Sequence, residues 1–129
     1  MDERFYKHMF LAGAFWNVVG GGIVIALDGW IFSTADLDPP HPGLYYQSWV
    51  ALFVTFGIGY YFVYRDMFSN KNIVVLGIIG KLAFSAIFIY NFAASSDLVP
   101  LLFIIPVVGD LLFVVLFGSF LNFARKTQR

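Results

Sequence analysis

Two ionisable side chains sit deep inside apolar runs of this sequence. Lys81 lies within IVVLGIIGKLAFSAIFIY, directly after Gly80, and Asp110 lies within PLLFIIPVVGDLLFVVLFGSF, directly after Gly109. A charge inside hydrocarbon is expensive, and such residues are usually paired or functional. An amine and a carboxylate at one depth offer two kinds of chemistry. As a pair they neutralise each other and fix helix register. As separate groups, a carboxylate near the membrane midplane is a proton or cation site. Pro106, one turn before Asp110, is expected to kink its helix and free the carbonyl of Leu102, one way helices build cation sites. Asn17, in the first apolar run, is the third polar residue of this candidate cluster.

Other constellations carry weaker chemistry. Lys81 and Ser85 stand four residues apart, so a serine–lysine nucleophile and base are sterically conceivable. No oxyanion site accompanies them, and a packing serine is the ordinary reading. Asp36, Asp38 and His41 form D-x-D-x-x-H, whose oxygens and imidazole suit a divalent cation. Their spacing matches no fixed metal motif, so solvated loop residues are the ordinary reading, and neither metal nor cofactor is expected. Gly77–Gly80–Lys81 lacks phosphate-loop spacing. The chain has no cysteine, which removes thiol, disulfide and iron–sulfur chemistry. His8 and His41 fall outside the apolar runs, which removes a bis-histidine haem site inside the membrane of one chain.

The elements that must position these residues are long and apolar. The 129 residues are 60% hydrophobic and 12% charged, with a mean hydropathy of +0.78. A water-soluble domain of this size needs more polar surface. Continuous rather than alternating runs exclude a β-barrel. Four runs, about 9–27, 45–64, 73–92 and 100–123, approach the length that crosses a hydrocarbon core of about 30 Å. The expectation is an all-α, polytopic membrane protein: one domain over 1–129, an up-down-up-down bundle of four transmembrane helices. Three prolines at 39, 40 and 42 forbid a helix there and favour an extended path. Trp30, Ile31 and Phe32 are expected at the membrane interface. Ser96 or Asp97 is expected to cap the last helix, with Pro100 in its first turn.

With four crossings the charges segregate. One side holds Arg4, Lys7, Arg65, Lys71, Arg125, Lys126 and Arg129; the other holds Asp28, Asp36, Asp38 and Asp97 and no basic residue. This pattern predicts both termini in the cytoplasm. Helix rise places Lys81 and Asn17 each about 12 Å from the cytoplasmic face and Asp110 about 17 Å, in one layer. Against a pair, helical side chains lean toward their own amino terminus, which draws Lys81 and Asp110 apart. The long lysine stem works the other way, so pairing and separation both stay open. Gly13-x3-Asn17-x3-Gly21 also echoes Gly77-x3-Lys81-x3-Ser85 at equal depth, a trace of parallel duplication short of a repeat.

Five motifs, Phe15-Trp16-Asn17, FGIGYY at 56–61, Arg65-Asp66, GIIGK at 77–81 and GDLLF at 109–113, give the chain a general likeness. It resembles the small four-helix bacterial inner-membrane proteins without assigned activity. That resemblance implies a fold and a multi-pass place in the bacterial inner membrane, and no activity. The chain departs from four-helix families of known chemistry. Disulfide-forming quinone reductases need cysteines; small multidrug exporters need a glutamate where this chain has Asn17; lipoprotein signal peptidases need two facing aspartates, and only Asp110 qualifies.

The expected function is non-enzymatic: a bundle that assembles with itself or serves as an accessory subunit of a membrane complex. The alternative is a proton- or ion-coupled transporter or channel using Asp110 and Lys81. An intramembrane enzyme, or a lipid- or quinone-binding protein lined by the 16 phenylalanines, ranks below both. Nothing in the sequence points to nucleic acid.

Overall fold

The computed structural model describes residues 2–94 and 103–128. These are helical, with no strand among the described residues. The order is α1 (Glu3–Ala26), α2 (Asp28–Thr34), α3 (Leu44–Arg65), α4 (Lys71–Ala94) and α5 (Ile104–Thr127). The chain divides into two compact units, Met1–Met67 and Phe68–Arg129.

The first unit is a hairpin of α1 and α3 with α2 in the connection. Lys7 stands over the Tyr64 ring, Ala14 and Asn17 face Gly57, and Gly21 faces Val50 and Val54, so the two helices run antiparallel. Their approach is close. A methyl group at Gly21 would lie 2.5 Å from Val54 Cγ2, and one at Gly57 would lie 2.8 Å from Asn17 Cβ and 3.1 Å from the Ala14 carbonyl oxygen. Small residues are what permit such contact between helices. Helix α1 starts earlier than its apolar run because the Asp2 side chain accepts a hydrogen bond from the Phe5 N–H and caps it, bringing the charged lead into the helix.

Helix α2, an element beyond the four helices expected, opens the 28–44 connection. It ends with Asp36 at φ 55°, where the Leu37 N–H bonds the Phe32 carbonyl and the Asp36 N–H bonds the Ser33 carbonyl. This is the paired hydrogen-bond closure typical of a helix that stops at a left-handed residue. The prolines lie beyond it. The Tyr46 hydroxyl donates to Asp28 Oδ2 and the Tyr46 ring packs edge-on against Phe32, so α2 is tied to the start of α3.

The second unit pairs α4 with α5. Lys71 Nζ donates to Gln128 Oε1 at one end, and Lys81 meets Asp110 and Phe113 further along, so this pair is also antiparallel.

The expected count of four transmembrane helices is overturned. Of the five helices among the described residues, three are long and apolar enough to cross a membrane: α1, α4 and α5. Helix α3 has the length, but Gln47, Trp49 and five tyrosines (Tyr45, Tyr46, Tyr60, Tyr61, Tyr64) dilute its apolar run. Placing both termini on one side assumed an even number of crossings, and three qualifying helices remove that premise. The expected cap at Ser96 or Asp97 and the proline at 100 lie outside the described residues.

Candidate functional site

The geometry that concerns function lies between α4 and α5. Lys81 is presented by the buried stripe of α4, which consists of Val74, Gly77, Lys81 and Ser85 at helical spacing. Asp110 belongs to the buried stripe of α5 with Val107, Phe117, Phe120 and Ala124. Lys81 Nζ donates to Asp110 Oδ1, and both residues are only 4% exposed. The lysine ammonium also stands 5.3 Å from the centroid of the Phe113 ring, within cation–π range. The lean of the two side chains does not part them: the four-carbon stem of lysine spans the offset.

Asn17 reaches its own partner inside the first unit. Its amide nitrogen donates to the Phe53 carbonyl oxygen at 2.9 Å, an approach that Gly57 permits, while its Oδ1 is buried with no hydrogen-bond partner among the described residues. The polar residues of the expected cluster are therefore each bonded within their own hairpin.

Pro106, expected to kink its helix, occupies the third position of α5 as described. A first-turn proline removes no intrahelical hydrogen bond, because the first N–H groups of a helix have no intrahelical partner. The Leu102 carbonyl lies outside the described residues. Ser85 is buried and its hydroxyl has no hydrogen-bond partner among the described residues, so no hydrogen bond joins it to Lys81 as a nucleophile and base require. The Asp36, Asp38 and His41 side chains lie in the connection after α2, and among the described residues no three histidine, cysteine or acidic side chains gather as a metal site.

Sequence reasoning missed the polar contact between Asp28 and Tyr46. The Tyr46 hydroxyl, and after it the Gly29 N–H, hold the Asp28 carboxyl below its ordinary range. An aspartate opening a helix and a tyrosine opening the next one, on either side of a proline-rich connection, was the available signal. Comparison with protein-family models, with curated proteins and with solved structures finds no match for this chain.

Proposed function

We propose that this chain is a non-enzymatic integral membrane protein of the bacterial cytoplasmic membrane. In this reading it assembles with itself or as an accessory subunit of a larger membrane complex. The observation that carries the reading is the Lys81–Asp110 pair: two opposite charges, each almost wholly buried and bonded to each other within one hairpin. A pair so closed neutralises itself and is built to hold two helices in register. Around it, α4 and α5 expose Leu76, Ile79 and Ile87, and Leu112 and Val115, a surface suited to lipid or to other helices. Basic residues gather at one end of each hairpin, Arg4, Lys7 and Arg65 in the first and Lys71, Arg125 and Lys126 in the second, which suits helices whose apolar stretches lie in a bilayer.

The test compares Lys81→Met, Asp110→Leu and the double variant in detergent and in proteoliposomes. Each single change should lower thermal stability sharply, the double change should recover most of it, and the parent should pass no protons or cations above empty vesicles. A parent that conducts, with Asp110→Asn folded but silent, would replace this reading with transport. Purification in mild detergent then separates the two forms of assembly: copies of the chain alone, or a defined partner.

A further inference from the structure

We infer that the two hairpins are copies of one unit, and that the Lys81–Asp110 pair is the code that tells the helices of the second copy from those of the first. The inference rests on the structural reading of that pair and adds what the pair selects.

The copies are aligned by burial. Phe10, Gly13, Asn17 and Gly21 are buried in α1, and the buried residues of α4 are Val74, Gly77, Lys81 and Ser85, each 64 positions on. In α3 and α5 the correspondence is a shift of 60. From Val50 to Tyr60 and from Asp110 to Phe120, eleven successive residues are buried, half-buried or exposed in the same order. Any one-faced helix repeats every three or four residues, so periodicity alone would produce part of this. Three further facts exceed it. Under the first shift Lys7, Gly13, Ile23 and Ile25 fall on Lys71, Gly77, Ile87 and Ile89; under the second, Leu52-Phe53-Val54 falls on Leu112-Phe113-Val114 and Arg65 on Arg125. The two shifts, each read from one helix pair, also carry contact onto contact. Asn17 meets Phe53, and its counterpart Lys81 meets Phe113.

Duplication creates a pairing problem. Four helices whose buried stripes share one spacing can pair in more than one way, within a chain or between chains. The buried charges break the tie. The counterparts of Lys81 and Asp110 in the first copy are Asn17 and Val50. If α4 packed on α3, Lys81 would face Val50; if α1 packed on α5, Asp110 would face Asn17. Either arrangement buries a charge without its opposite, which is the strongest penalty a helix interface can impose on a wrong partner.

The absence of cysteine makes this measurable in the full chain. Lys71→Cys with Gln128→Cys reports α4–α5 pairing through a short bismaleimide, in three backgrounds. The first keeps the pair. The second erases it with Lys81→Asn and Asp110→Val, giving the second copy the residues of the first. The third adds Asn17→Lys and Val50→Asp to the erased chain, moving the pair into the first copy. Intramolecular cross-linking should fall by about an order of magnitude in the erased chain and return in the moved one, although α4 and α5 carry no buried charge in either. An erased chain that cross-links like the parent overturns the code and leaves shape, Gly57 against Phe117, as the selector. A loss that the moved pair does not restore makes the pair a local clamp and overturns it too. If the erased chain does not fold, a folded and cross-linked moved chain supports the proposal and an unfolded one sinks it. Ion flux is not read here, so the proposed function and this inference fail separately.

Discussion

In the first hairpin the helices meet at glycine. Gly21 and Gly57 let α1 approach α3 until Asn17 reaches a backbone carbonyl, a neutral contact. In the second hairpin the counterparts of those glycines are Ser85 and Phe117, both buried. There the polar link between α4 and α5 is made by a long cation reaching a carboxylate past an aromatic ring. One geometry is thus held in two ways, by close approach and by a charged tether. The difference teaches that a glycine contact is specific through shape and fails by overpacking. An ion pair is specific through charge and fails by desolvation.

The contrast orders the experiments. The largest effect belongs to the tether: Lys81→Met or Asp110→Leu alone should cost about 3–5 kcal/mol, read from denaturation in detergent, because one buried charge is left bare. The double change should cost far less, and a double as damaging as the worse single would sink the idea of a tether. Next comes the close approach. Gly57→Ala should cost about 1–3 kcal/mol, because its methyl meets Asn17 Cβ and the Ala14 carbonyl rather than the free end of a side chain. A neutral outcome would mean that α1 and α3 pack with slack. Asn17→Ala should cost about 1 kcal/mol, the worth of one hydrogen bond; a loss as large as that at Lys81 would erase the contrast.

The smallest effect lies outside both interfaces. Tyr46→Phe removes the hydroxyl that holds Asp28. Folding lowers the Asp28 carboxyl below its ordinary value of 3.8, so the hold is present above that value and is lost as pH falls through the lowered one. Trp30 fluorescence should therefore distinguish Tyr46→Phe from the parent at neutral pH and cease to do so in strong acid. A difference that persists in acid would mean that the ring contact with Phe32 matters more than the hydroxyl.

Much of this was legible in the apolar runs. The run at 73–92 became α4 with two more residues at each end, and that at 45–64 became α3 with one more at each end. The boundary of α1 moved where capping decided it, at Asp2. Helix α2 escaped because the prolines at 39, 40 and 42 dominated the reading of a connection whose first seven residues precede them. The number of membrane helices was misread for a different reason: α3 has spanning length, and aromatic residues taken as interface markers also lower its apolarity. Lys81 and Asp110 were legible as residues of consequence. Their contact was not, because rise and lean gave opposite answers and only the lysine stem decided. The duplication showed in α1 and α4 as a three-residue echo. It was hidden in α3 and α5, where Gly57 and Phe117, or Val50 and Asp110, share a place and no chemistry.

The spacing of the pair along the chain has a consequence for biosynthesis. Asp110 follows Lys81 by 29 residues, and the whole first hairpin precedes both. At a translation rate of about 5–20 residues per second, Lys81 is made roughly 1.5–6 s before its counter-ion exists. During that interval the lysine must be kept from hydrocarbon, by the ribosome, by the insertion machinery or by water at the bilayer surface.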